Sequence, residues 1–291
     1  MRVGLHALGI GAGARRPVID AVARSAEDAG FSTLWAGEHV VMVDRPGSRY
    51  PYAADGRIPV PADADWLDPI VCLSFAAAAT RSITLATGIL LLPEHNPLLV
   101  AKQAATLDAL CDGRLALGVG IGWSADEFAA LGVPFSARAE RMVEYVEAIR
   151  TLWREDVASF AGRFAGFDAV RMYPKPRRAG GIPIIFGGNS DAALARVAVH
   201  GDGWYGFNLP GLDGVRGRLA TLRQHCSRAG RDITELYIAV AVQACEPHDL
   251  CALAELGVDE LVVVAGPPAE PVAAADWVTE TAEHWMRGLP R

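Results

Sequence analysis

Eight short apolar runs, each followed by an amphipathic stretch, recur along this 291-residue chain. No other feature constrains the fold as strongly. Strands that alternate with helix-length segments must run parallel, with the helices as crossovers. The runs are Val3 to Leu8, Thr33 to Ala36, Ile83 to Thr87, Arg114 to Val119, Ile182 to Phe186, Gly203 to Gly206, Leu236 to Val242 and Glu260 to Val264. The segments between them carry helix signals. Pro17 opens a stretch with apolar Val18, Ile19, Val22, Ala26 and Ala29, which Gly30 ends. Asp68-Pro69 and Asn96-Pro97 each set a capping side chain before a proline at the first helical position. They open helices over Ile70 to Ala79 and through Leu110. Met142, Val146, Ile149 and Trp153 share one face of a long helix. Later helices cover Asp191 to His200, Leu212 to Ala229 and a last segment containing Trp277 to Met286. A count of eight favours a closed (β/α)8 TIM barrel, of the α/β class, over an open sheet, in one domain spanning 1–291.

Two insertions break the rhythm. Residues 41–66 hold Pro46, Pro51, Pro59 and Pro61 with Gly47 and Gly56, and a loop this long in a compact domain reads as a lid. Tyr50, Tyr52 and Trp66 suggest an aromatic entrance. Residues 157–178, rich in Phe and Gly, form an excursion before the fifth strand, and both insertions are placed to border the barrel mouth.

Composition narrows the function. Apolar residues make up 51% and charged residues 21%, enough for a large core and too little charge for a disordered chain. A net charge of −7 disfavours nucleic acid or an anionic membrane as partner, and it stays compatible with a small-molecule substrate and a local basic pocket for one phosphate. Cys72, Cys111, Cys226, Cys245 and Cys251 form no CxxC pair and read as free thiols in a reducing cytoplasm. The N-terminus enters a strand pattern at once, without a leader, and no apolar run is long enough to span a bilayer. The histidines are scattered, so no metal site is expected, and neither HExxH nor GxSxG occurs.

The C-terminal ends of the strands are where a barrel of this kind holds its chemistry. Glu38-His39 ends the second strand, and a histidine there can move a proton near neutral pH. Glu38 either orients His39 or pairs with a neighbouring loop. His6 reads as a buried structural histidine, with a place in the lining of the same cavity as the alternative. Gly118-Val119-Gly120-Ile121-Gly122 ends the fourth strand with GxGxG spacing, which is not the GxGxxG dinucleotide fingerprint. Its alternating glycines, Gly120 and Gly122, let a ligand approach the backbone, with Trp123 and Ser124 at the mouth. Glu127 reads as a solvated residue of a first helical turn. Gly187-Gly188-Asn189-Ser190 joins the fifth strand to a helix, where small residues can present N–H groups to an anion and Asn189 or Ser190 can act as the cap. Arg138 and Arg141 read as ion-pair partners of Glu140 and Glu144. Trp204 belongs either to the pocket wall or to the barrel packing.

One continuous block is recognisable: Ala86-Thr87-Gly88-Ile89, Leu92-Pro93, Asn96-Pro97-Leu98-Leu99, Ala101-Lys102, Asp112-Gly113-Arg114 and Gly118 to Trp123. It resembles the luciferase-like monooxygenase superfamily, and within it the actinobacterial branch of coenzyme F420-dependent oxidoreductases. Leu34 to His39, Lys175-Pro176, Phe186-Gly187-Gly188 and Gly201 to Trp204 extend the match, while the chain beyond about residue 207 matches only in outline. The resemblance implies a bacterial-luciferase-like barrel and a homodimer. It implies that His39 lies beside the cofactor ring and that Gly88-Ile89 forms a cis bulge behind it. The loop 187–190 would hold the phosphate of the cofactor tail. Some deazaflavin relatives carry a glutamate near the position of Trp123, and this sequence departs from that pattern. That departure speaks against glutamate-assisted chemistry; by the resemblance as a whole, coenzyme F420 is the expected cofactor, with flavin mononucleotide (FMN) and oxygen chemistry as the first alternative. A barrel that binds flavin without catalysis is the second alternative, disfavoured by the intact Glu38-His39 pair and the long lid.

Overall fold

A computed structural model describes residues 1–289. Eight strands close into a parallel barrel: β1 (Arg2–Leu8), β2 (Thr33–Ala36), β3 (Thr84–Thr87), β4 (Leu115–Val119), β7 (Ile184–Gly187), β8 (Gly203–Pro210), β9 (Tyr237–Gln243) and β10 (Glu260–Val264). Closure is visible at β1, where Leu5 lies opposite Leu34 of β2 on one side and Val263 of β10 on the other. The crossovers are α1 (Arg16–Asp28), α2 (Pro69–Ala79), α3 (Pro97–Leu110), α4 (Ala125–Ala130) with α5 (Arg138–Arg154), α6 (Asp191–His200), α7 (Gly211–Arg228), α8 (Leu250–Glu255) and α9 (Pro271–Met286). The expected caps form. Asp68 accepts from the Val71 N–H at 2.8 Å and Asn96 from the Leu98 N–H at 2.9 Å, which satisfies donors that a helix start leaves free.

The main apolar core lies between the barrel and its helices, and a smaller one fills the barrel interior around Trp35, Ile185, Tyr205 and Val262. Within that inner layer Trp35 stacks on Tyr205 at 4.7 Å and donates from Nε1 to Glu260 at 3.0 Å. Glu260 is fully buried, and burial raises its carboxyl above the usual range against the hydrogen bonds from Ser32, Thr33, Trp35 and Tyr237. Gly4 makes room for it: a Cβ there would stand 2.7 Å from Glu260 Oε1.

Three elements differ from the sequence expectation. Residues 157–178 contain an antiparallel hairpin, β5 (Ala158–Ala161) with β6 (Gly166–Val170), that folds against α5. Glu144 of α5 binds the N–H groups of Arg163, Phe164 and Ala165 in its turn. The hairpin contributes nothing to the mouth cavity, unlike the loop 41–66. Strand β8 runs to Pro210 rather than Gly206, because Leu209 and Pro210 continue the ladder to β9 past a bulge. That bulge carries Phe207 and Asn208 to the mouth. Helix α8, six residues long, was not legible as a separate helix. None of the described helices is long and apolar enough to cross a membrane.

Candidate active site

The barrel mouth opens into a cavity of about 1310 Å³. Its floor comes from the strand ends and its roof from the loop 41–66. Several bonds pin that loop: Asn208 Nδ2 donates to Tyr52 O at 2.9 Å, Trp66 Nε1 to Gly37 O at 3.1 Å, and the Ser48 N–H to Asp126 at 2.9 Å. Tyr50 meets Trp123 edge-on at 5.3 Å and Tyr52 meets Phe207 at 5.3 Å, so the roof is aromatic on its inner side. His39, Gly88, Ile89, Gly120, Gly122, Trp123 and Gly187 to Ser190, the residues singled out from sequence, all line this one cavity, and so does Glu38.

His39 stands between Trp66 and Trp123, whose rings meet it edge-on at 4.8 and 5.6 Å. Its Nδ1 lies 2.7 Å from Glu127 Oε2. A carboxylate only accepts, so Nδ1 carries the proton and Nε2 is left for a ligand. Glu127, 1% exposed, also accepts from the Val40 N–H at 2.7 Å and the Val41 N–H at 3.3 Å. It therefore fixes both the ring and the backbone that bears it.

This corrects one sequence expectation, for Glu127, and decides the two roles left open for Glu38 in favour of the loop contact. Glu127 is not a solvated helix residue. Ser124 caps α4 by accepting from the Glu127 N–H at 3.2 Å, and the Glu127 side chain turns inward. Glu38 does not orient His39. Its Oε2 accepts from the Leu91 N–H at 2.5 Å and its Oε1 pairs with His95 Nε2 at 3.0 Å. The two neighbours thus hold separate partners. The bond and charge of Glu38, set against burial, raise the His95 imidazole above its ordinary value.

The Gly88–Ile89 peptide bond is cis. The glycines around it have a packing task beside the one expected of them. A Cβ on Gly120 would overlap Ile89 Cδ1, and one on Gly187 would stand 2.5 Å from the same atom. They make room for the Ile89 side chain as well as lining the cavity. Gly122 has φ +73°, and a Cβ there would lie 2.7 Å from Phe128. His6 lies below: its Nε2 would be 3.2 Å from a Cβ on Gly37, and its Nδ1 is 3.2 Å from the Tyr205 hydroxyl. Burial pushes its imidazole down to about 4, so it is neutral at ordinary pH. Although buried, it lines the cavity.

One part of the cavity lining is basic. Arg138 and Arg196 both line it, and Arg196 Nε is buried without a partner. Burial and the nearby Arg138 lower the Arg196 guanidinium from its ordinary value, as a cation short of counter-charge should be. Arg138 is not an ion-pair partner of Glu140 or Glu144. Its Nε donates to Gly122 O at 3.2 Å, and its guanidinium lies 3.7 Å over Phe135. Arg141 binds the carbonyls of Pro134 and Ser136 instead of a carboxylate. Arg196 was missed in the sequence. Its signal is spacing, since it lies one helical turn after Ala193, which lines the same cavity. Ser190 caps α6 by accepting from the Ala193 N–H at 3.2 Å. Asn189 donates from Nδ2 to Phe207 O at 2.7 Å, which leaves Oδ1 buried and unpartnered. Trp204 is core rather than wall: it is fully buried, and its Nε1 holds Gly188 O at 2.9 Å.

The family model for luciferase-like monooxygenases matches residues 6–256. An uncharacterized protein of Mycobacterium tuberculosis is 35% identical over 243 residues, covering 83% of this chain and 85% of that one. The FMNH2-dependent dimethylsulfone monooxygenase of Pseudomonas fluorescens is 31% identical over 222 residues, covering 71% of this chain and 59% of that enzyme. Among solved structures, the coenzyme F420-dependent tetrahydromethanopterin reductase of Methanopyrus kandleri shares the fold with a TM-score of 0.74 at 16% identity, over 99% of both chains. With the barrel, its mouth and a match over most of the length in agreement, this chain belongs to the luciferase-like monooxygenase family.

Proposed function

We propose that this protein is an oxidoreductase that transfers a hydride between coenzyme F420 and a small organic substrate. The observation that carries the reading is the pairing, within one cavity, of the His39–Glu127 couple with a basic part of the lining formed by Arg138 and Arg196. The residues fit such a cofactor. A cavity of about 1310 Å³ exceeds the usual single-ligand pocket of roughly 300–1,000 Å³, so it has room for a cofactor and a substrate together. The unpartnered Arg196 Nε suits a phosphate. Asn189 Oδ1, an acceptor, suits a hydroxyl of the cofactor's sugar-alcohol chain. The deazaflavin, when bound, supplies the hydride chemistry.

The chain's own residues do the rest. Glu127 keeps His39 in the tautomer that presents Nε2 to the cavity and compensates the ring when it is charged. His39 gives or takes the substrate proton through that nitrogen. Tyr50, Tyr52 and Trp123 exclude water above it, and Ile89 shapes the slot beneath. Neutral His6 adds no charge to the floor. FMN with oxygen is the second reading, favoured by the 31% identity to the dimethylsulfone monooxygenase.

A fluorescence titration of the purified protein with coenzyme F420 and, separately, FMN tests this. Micromolar binding of F420 alone supports the proposal, FMN alone moves it to a monooxygenase, and failure of both sinks the cofactor assignment. His39→Ala is expected to abolish turnover and spare cofactor affinity; unchanged turnover removes His39 from the mechanism. We also propose a homodimer through α2 and α3, whose outer faces expose Val71, Phe75, Leu99 and Leu110.

A further inference from the structure

One buried acid at this site is used by nothing described so far. Glu94 lies in the 3-10 turn Leu92–Glu94, behind Gly122. It is 9% exposed, and neither Oε1 nor Oε2 has a hydrogen-bond partner. A Cβ on Gly122 would stand 3.1 Å from its Oε1, so the carboxyl sits directly beneath a glycine of the cavity wall.

The charged groups around it offer no relief. Glu38 and Glu127 are the acids that act on it, and their oxygens already serve His95 with the Leu91 N–H, and His39 with the N–H groups of Val40 and Val41. His95, next in the chain, is spent on Glu38, and Asp68 acts on His95. Helix α5 packs against the turn. It brings Arg138, bound to Gly122 O, and Arg141, bound to the carbonyls of Pro134 and Ser136. Its Tyr145 hydroxyl is raised by burial, so it is neutral. Among the described residues no cation lies within salt-bridge distance of Glu94. A carboxylate here would be a third negative charge in one corner, desolvated and without a donor. Burial first, then Glu127 and Glu38, push the Glu94 carboxyl up to about 9.

We propose that Glu94 remains a neutral carboxylic acid while the protein works, and that it is a positioning residue which caps the negative charge beside the His39–Glu127 pair. This rests on that pair being the reactive one. When Glu94 loses its proton to water, no other bond changes. The new charge beneath Gly122 then opposes any anionic ligand in the cavity and disturbs the hold of Glu127 on His39.

Infrared spectra of the ligand-free protein test the protonation directly. At neutral pH the wild type should show the carbonyl band of a neutral carboxylic acid that Glu94→Gln lacks. The difference between the two spectra isolates Glu94, because Glu260, also buried and raised, is common to both proteins. Thermal melts give an independent reading. Between pH 4.5 and about 9 the folded protein holds a proton that the unfolded chain has lost, so the wild type loses stability as pH rises through that window. Glu94→Gln carries no such proton, and its melting temperature should gain on the wild type up to about pH 9 and then level. Affinities for coenzyme F420 and for FMN, each measured on both sides of that pH, test the effect on the site. The wild type should bind the ligand that it accepts about tenfold more weakly above it, and Glu94→Gln should lose that fall.

Identical infrared spectra for the two proteins at neutral pH would overturn the protonation. An alkaline loss of binding that persists in the variant would overturn the positioning role. If the variant does not fold, a wild-type spectrum without a neutral carboxyl band that disappears near pH 9 overturns the proposal. If neither ligand binds at any pH, the cofactor reading fails, while the spectra and melts still decide Glu94.

Discussion

At the scale of single residues, the site separates two adjacent glutamate–histidine contacts that the sequence runs together. Glu127 serves His39, and Glu38 serves His95 and the Leu91 N–H. Glu127→Ala should therefore lower turnover by about 10²-fold or more, because His39, the general acid–base group proposed above, loses its orienting partner. Glu38→Ala should mainly cost stability, about 1–3 kcal/mol, because a buried donor is left unpaired. Turnover and melting temperature of the two variants, measured side by side, check this; a reversed pattern would return Glu38 to the chemistry. His6 gives a pH signature. Its imidazole titrates at about 4 when folded against 6.5 ordinarily, so its contribution is complete above pH 6.5 and is lost as pH falls towards 4. The ceiling is about 3 kcal/mol. His6→Gln should flatten the acid side of a melting-temperature profile across that window; an unchanged slope would assign the acid loss to other groups. His39 and its environment show how far the sequence reading reached. Its position at a strand end was legible, but its partner lies 88 residues away, and the Ser124-to-Glu127 spacing looks like an ordinary helix start.

At the scale of elements, the strand ends β3, β4 and β7 work as one unit because three glycines make space for one side chain. Ile89 fills the volume beside Gly118, Gly120 and Gly187. Gly120→Ala should cost roughly 1–3 kcal/mol through overpacking, and Ile89→Ala should leave a cavity of its own. Combined, they should couple favourably by about 1 kcal/mol, since truncating Ile89 gives the new methyl its space. Chemical denaturation of the four proteins in this cycle measures the coupling, and strict additivity would disprove the packing account. The glycine pattern itself was plain in the sequence; what it accommodates was not, because a glycine reports only that something approaches closely. Helix starts were read well for the opposite reason. Asp68 and Asn96 act on N–H groups two or three residues away, so local sequence contains the whole interaction. The hairpin β5–β6 was lost because its Phe and Gly residues pack against α5, a contact that no local period records.

At the scale of the whole molecule, helix α2 (PIVCLSFAAAA) is apolar on nearly every side, which suits a helix covered on more than one face. Its Val71 and Phe75, one turn apart, stay exposed. Sedimentation velocity should give a dimer for the wild type and a monomer for a Val71→Asp, Phe75→Asp variant; a monomeric wild type would dispose of the proposed interface. The barrel was decided by the sequence alone. Eight apolar runs, their caps and their spacing act over a few residues each, and parallel strands with helical crossovers have few other ways to bury their faces. The address of the site, at the C-terminal ends of the strands, came with the barrel. Its inner wiring did not. The bond from Glu127 to His39, the joining of Arg138 and Arg196 in one part of the cavity lining, and the stranding of Glu94 under Gly122 all bring together residues from separate βα units. Such contacts depend on distances across the barrel mouth, which closure of the sheet sets and local sequence does not encode.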